Sequence, residues 1–279
     1  MNQLLWYEER GEKYQRKRDF TTRYPIPMEH PLVETEYYSI DGEWLIPDVL
    51  AKYSKDGVRT FKDNIYPAGG ETQTPRKVIL FLHGGAYIMG NAKLYRSLTG
   101  ILAKHSGTPI LAINYRRAPE YPFPAGLHDA FAAYLWLIKP NHHMFQSEES
   151  VHEPYHPKDI IIAGDSAGGG LTMALLNYIN MYLCDEEGNH LVPLPAAAIL
   201  LSPWVDLSCS SKSWQENNGL DFLPPQAHDL HAPLFTNMQH PVYSYCFGDK
   251  TGRHLDILSP TGSRPFGRLR ILGNYLTFK

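Results

Sequence analysis

Short, wholly apolar blocks alternate with stretches of helical periodicity along the middle of the chain. Val78-Ile79-Leu80-Phe81-Leu82 has no polar position, which predicts a strand covered on both faces, and it stops at His83-Gly84-Gly85. Leu94, Leu98, Ile101 and Leu102 then recur at i, i+4, i+7 and i+8, the spacing of one helix face, and Gly107 closes that helix. Ile110 to Ile113 is a second apolar strand. Leu127, Phe131, Tyr134, Leu135 and Ile138 predict the next helix, with Pro124 near its first turn. Ile160 to Ala163 is a third strand, ended by Gly164. Leu171, Ala174, Leu175, Tyr178 and Tyr182 mark a further helix, and Ala197 to Leu201 a fourth strand before Ser202-Pro203. Strands separated by helices of this length place the chain in the α/β class, with a mostly parallel sheet and helices on both faces.

Before Arg76 the pattern is weaker. Prolines at 25, 27, 31, 47, 67 and 75 interrupt it, so residues 1–75 are read as an irregular N-terminal segment and 76–279 as the main domain. The alternating charges from Glu8 to Asp19 read as a solvated helix face. With 279 residues, 43% hydrophobic and 20% charged, the chain can bury a full core. A net charge of −3 leaves no electrostatic footprint for nucleic acid. The apolar stretch from Leu191 to Val205 is interrupted by three prolines, so no membrane span is expected. The opening residues turn charged by Glu8, which argues against a signal peptide and for a cytoplasmic location. Three cysteines, at 184, 209 and 246, form no CxxC pair, and no HExxH occurs; neither a disulfide framework nor a metal site is expected. Nothing in the sequence sets the oligomeric state.

The candidate chemistry lies at two strand ends. Gly164-Asp165-Ser166-Ala167-Gly168 falls between the third strand and the helix that follows. A serine nucleophile must stand clear of the sheet on a tight turn, and glycines two positions to either side allow that turn. The helix N-terminus behind Ser166 also favours negative charge. A phosphate-binding turn is the competing reading, but Gly164, Gly168, Gly169 and Gly170 do not fit GxGxxG and no GK[ST] follows. His83-Gly84-Gly85-Ala86 follows the central strand directly. Its small residues let backbone amides approach a ligand oxygen, so Gly84 and Gly85 are expected to join Ala167 as oxyanion-hole donors. His83, at a strand end, is expected to brace that loop rather than to act as a base.

These motifs resemble the hormone-sensitive-lipase-like branch of the α/β-hydrolases, the serine carboxylesterases with an HGG signature. The resemblance rests on His83 to Tyr87, Tyr115-Arg116-Arg117-Ala118-Pro119-Glu120, Pro122-Phe123-Pro124-Ala125 with Asp129, Gly164 to Gly169, and Ser202-Pro203-Trp204-Val205-Asp206. It covers about residues 76–206. It implies an eight-stranded, mostly parallel sheet, a cap built from the N-terminal segment and an insertion at 207–258, and hydrolysis of a small carboxylic ester without metal or cofactor. Ala86 stands where many members carry a third glycine. The family order is Ser…Asp…His, yet Thr261 to Lys279 contains no Asp, Glu or His. The likeness breaks near Ser259, so the chain reads as truncated, lacking C-terminal strands and with Ser166 impaired. The strand at Ala197–Leu201 would then be an exposed apolar edge. His190, His228, His231, His240 and His254 follow Ser166, as do Asp206, Asp221, Asp229, Asp249 and Asp256. Most lie in 207–258, whose aromatic residues read better as a lid over an acyl pocket. Asp165 and Asp206 read as structural, fixing the elbow and the loop after the fourth strand. Two other readings stay open: a homologue that binds a small ligand without catalysis, and a defective truncated product.

Overall fold

The computed structural model describes residues 5–15, 37–47, 52–53, 59–60, 77–139, 154–207, 211–217, 219–220, 223 and 245. Among these residues eight strands are formed: β1 (Leu5–Gln15), β2 (Tyr37–Ile46), β3 (Lys52–Tyr53), β4 (Arg59–Thr60), β5 (Val78–Leu82), β6 (Ile110–Ile113), β7 (Ile160–Asp165) and β8 (Ala197–Leu201). The helices are α1 (Arg96–Ser106), α2 (Ala125–Ile138), α3 (Ser166–Tyr182) and the short α4 (Lys212–Glu216). Six strands make the main sheet in the order β1-β2-β6-β5-β7-β8, and β3 pairs with β4 alone. The run β6-β5-β7-β8 is parallel throughout, while β1 and β2 add antiparallel pairs at one side. This is the expected α/β architecture, with six strands in the main sheet among the described residues.

Sequence and core agree closely in the centre. Val78, Leu80 and Leu82 point to one face of the sheet, where Leu127, Phe131 and Tyr134 of α2 and Leu171, Leu175 and Tyr178 of α3 cover them. Ile79 and Phe81 point to the other, against Ala92, Ala103 and the half-buried Leu98 and Leu102 on and before α1. An apolar strand with no polar position is what two covered faces require. Among the described residues, no helix is long and apolar enough to cross a membrane.

Three expectations are corrected. Residues 37–46 are not irregular: they form β2, which pairs with β6 from Gly42↔Ile113 to Leu45↔Ile110. The charged stretch read as a helix face forms β1 over Leu5–Gln15, antiparallel to β2. The apolar stripe on α1 is only partly its packed side, because Leu94 and Ile101 are exposed while Thr99, Gly100 and Ala103 are buried. Small residues let that helix lie close to the sheet, and its end at Gly107 is the left-handed cap expected.

Candidate active site

β5 and β7 are neighbours, paired from Val78↔Ile160 to Leu82↔Gly164, so their carboxyl ends open side by side. Ligands of parallel α/β sheets bind at such ends. β7 turns into α3 with no intervening loop: Asp165 is extended, and Ser166 is the first helical residue with φ +48. A non-glycine residue in that region is strained by about 1–3 kcal/mol, and such strain gathers at functional sites. The glycines on either side are steric necessities. A Cβ on Gly164 would strike the Gly168 carbonyl, and one on Gly168 would strike the carbonyls of Leu82 and His83. The turn is thereby pressed against the end of β5, and Ser166 stays half-exposed rather than packed under its neighbours. Its carbonyl accepts the Trp204 amide at 2.8 Å, which ties the elbow to the loop after β8.

The loop after β5 is held from several sides. Gly85, Ala86 and Tyr87 are all left-handed, with φ +116, +53 and +62. The Gly85 carbonyl accepts from Ile88 and Met89 at 3.0 and 2.9 Å, closing a tight turn. The loop after β6 supplies three further tethers. The Tyr115 hydroxyl donates to the His83 carbonyl at 2.6 Å, Arg117 Nη1 donates to the Gly90 carbonyl at 2.7 Å, and the Ala118 amide donates to the Tyr87 carbonyl at 2.9 Å. That second loop is anchored in turn by Arg116, which grips the fully buried Asp129 of α2.

His83 is buried, stacked on Tyr115 at 4.3 Å, and its Nδ1–H donates to the Gly84 carbonyl at 2.7 Å. Its Nε2 is buried with no hydrogen-bond partner among the described residues. Burial pushes its pKa down to about 4, so the ring is neutral and turned inward, the posture of a brace.

Gly84 differs from expectation. Its amide donates to Asp165 Oδ1 at 2.8 Å, while the Tyr95 hydroxyl donates to Oδ2 at 2.8 Å. Burial, with the Asp165 hydrogen bond, pushes the Tyr95 hydroxyl pKa well up, which keeps it protonated as a donor. The Gly84 N–H is therefore committed to the carboxylate beside Ser166 and is not free for an oxyanion. Gly85 remains on the turn, and Ala167 lies buried in the first turn of α3.

Among the described residues no group of three His, Cys, Asp or Glu could hold a metal ion. His190 is beyond the far end of α3, where its Nδ1 lies 3.2 Å from Cys184 Sγ. A helix of 17 residues separates it from Ser166 by about 25 Å, so it is not the base. Asp206 is buried and accepts the Ser211 amide at 3.1 Å, bracing the loop after β8. His228, His231, His240, His254, Asp221, Asp229, Asp249 and Asp256 lie outside the described residues, as does Thr261–Lys279.

A family model described as alpha/beta hydrolase fold matches residues 79–261. An acetyl-hydrolase of Streptomyces hygroscopicus is 36% identical over 181 residues, covering 63% of this chain and 53% of that protein. An ethyl acetate hydrolase of Pseudomonas putida is 28% identical over 173 residues, covering 61% and 49%. A solved esterase of the bacterial hormone-sensitive lipase family is similar with a TM-score of 0.55 at 27% identity, over 79% of this chain and 56% of that one. The chain spans about half the length of the curated relatives it matches.

Proposed function

The chain belongs to the α/β-hydrolase fold family, and from that premise we propose that it is a serine hydrolase of small carboxylic esters with Ser166 as nucleophile. The observation that carries this reading is the strained, left-handed Ser166 at the junction of β7 and α3, half-exposed beside the loop after β5. Ser166 Oγ adds to the ester carbonyl carbon and its proton passes to a base, either water or a group outside the described residues, since His83 is turned inward and His190 lies past the far end of α3. The carbonyl oxygen becomes an oxyanion held by the Gly85 and Ala167 amides, with the α3 N-terminus behind them. The base returns the proton to the departing alcohol, and water then cleaves the acyl-enzyme by the same two steps. Gly84 serves indirectly, fixing the loop through Asp165. No step calls on a metal or a cofactor.

The test is covalent labelling by a fluorophosphonate, with hydrolysis of short-chain aryl esters measured in parallel. Labelling at Ser166 that disappears in Ser166→Ala, together with ester turnover above that variant, is the expected result. Equal labelling and equal rates in the two proteins would end the serine-hydrolase reading. Saturable ester binding without labelling would instead favour a non-catalytic binder.

A further inference from the structure

We propose that Tyr245 is a positioning residue for the loop after β5: its ring, stacked on Tyr87, holds Gly85–Tyr87 in the left-handed arc that aims the Gly85 amide at the ester. The inference rests on that loop being the oxyanion loop. Three successive left-handed residues, two of them bearing side chains, persist only when the surroundings over-determine them. Main-chain hydrogen bonds to the Gly85 and Tyr87 carbonyls close the turn, but by themselves they do not set the direction of the Tyr87 side chain.

That direction is set by packing. The Tyr87 ring lies 3.8 Å from the Tyr245 ring at an interplanar angle of 6°, and 5.9 Å from Trp204. The bare Cα of Gly170 makes room for the Tyr87 hydroxyl, which a Cβ there would strike. Tyr87 is thereby wedged between the first turns of α3, Trp204 and Tyr245. Tyr245 is itself fixed: it is buried, its carbonyl accepts the Phe123 amide at 2.8 Å, and Phe123 meets its ring edge-on at 5.9 Å. A residue from the stretch read as a cap is thus nailed to the loop before α2 and presses on the catalytic turn. A merely space-filling role would need bulk at 245; a positioning role needs a flat ring.

The experiment compares the full chain with Tyr245→Phe and Tyr245→Leu by amide hydrogen exchange and by the rate of fluorophosphonate labelling of Ser166. Tyr245→Leu is expected to speed exchange in residues 83–91 while β5 and α3 keep their protection, and to slow labelling about tenfold, the upper range for loss of a stacked pair. Tyr245→Phe should restore both. Unchanged exchange at 83–91 in the Leu variant overturns the proposal. So does a rise shared equally by β5 and α3, or a Phe variant that behaves like the Leu one. Should the unmodified chain label no better than Ser166→Ala, the hydrolase reading fails separately, and the exchange pattern still decides whether Tyr245 holds the loop.

Discussion

His83 shows how a single neutral ring couples the site to pH. Its folded pKa of about 4 lies below the ordinary histidine value of 6.5 because the ring is buried, and protonation would place an Nε2–H where no described residue accepts it. The unfolded chain therefore binds the extra proton first. The ring's contribution to stability is complete above about pH 6.5, is lost as pH falls from there towards about 4, and changes no further below that. Its full size is about 3 kcal/mol. His83→Gln should flatten this part of the stability profile in urea titrations at about pH 7, 5.5 and 4; parallel profiles for the two proteins would show that the ring is not buried neutral. The residue-level site was partly legible in the sequence. Ser166 was, because close approach to Leu82 and His83 demands glycine at fixed offsets and leaves a mark in the motif. The partner of the Gly84 amide was not, because Asp165 reaches it only once β5 and β7 lie side by side, which no local pattern encodes.

At the scale of elements, legibility followed how many faces each segment buries. β5, β6 and β7 lie between helices and read as apolar blocks. β2 did not, because Asp41 and Glu43 interrupt its apolar positions; Glu43 is nonetheless buried, held by the Arg96 guanidinium of α1. Its charge is compensated by a residue 53 positions away, so hydropathy alone hides the strand. β8 is the opposite case. Its sequence, Ala-Ala-Ile-Leu-Leu, reads as a covered strand, yet Ala197, Ala198 and Ile199 are exposed and β8 ends the sheet among the described residues. An apolar edge with no charge to blunt it templates pairing with another chain. Sedimentation velocity at rising concentration should reveal self-association that Ile199→Lys suppresses. Because Ile199 is 40% exposed, that substitution should alter unfolding free energy by no more than about 0.5 kcal/mol. A parent protein that stays monodisperse would refute the edge as a contact.

The molecule as a whole hangs its site on one buried ion pair. Asp129 has no exposure; its carboxylate takes the Arg116 main-chain amide at 2.8 Å and both Nε and Nη2 of the same residue. Arg116 in turn fixes the neighbours that steady the loop after β5, namely Tyr115, Arg117 and Ala118. The pair thus serves both the core, by joining β6 to α2, and the site. Removing one partner strands a buried charge, at a cost of about 3–5 kcal/mol. Asp129→Asn should therefore lower the melting temperature by roughly 6–20 °C, given about 2–4 °C per kcal/mol for a domain of this size. A shift under about 2 °C would mean that solvent reaches the pair. The double variant Arg116→Met, Asp129→Leu separates the two roles. Replacing both charges with apolar groups removes the uncompensated ion, so much of the melting temperature should return. Ser166 labelling should not return with it, because the main-chain amide of residue 116 then has no carboxylate to fix the loop. Recovery of both properties together would show that Arg116 and Asp129 only fill space.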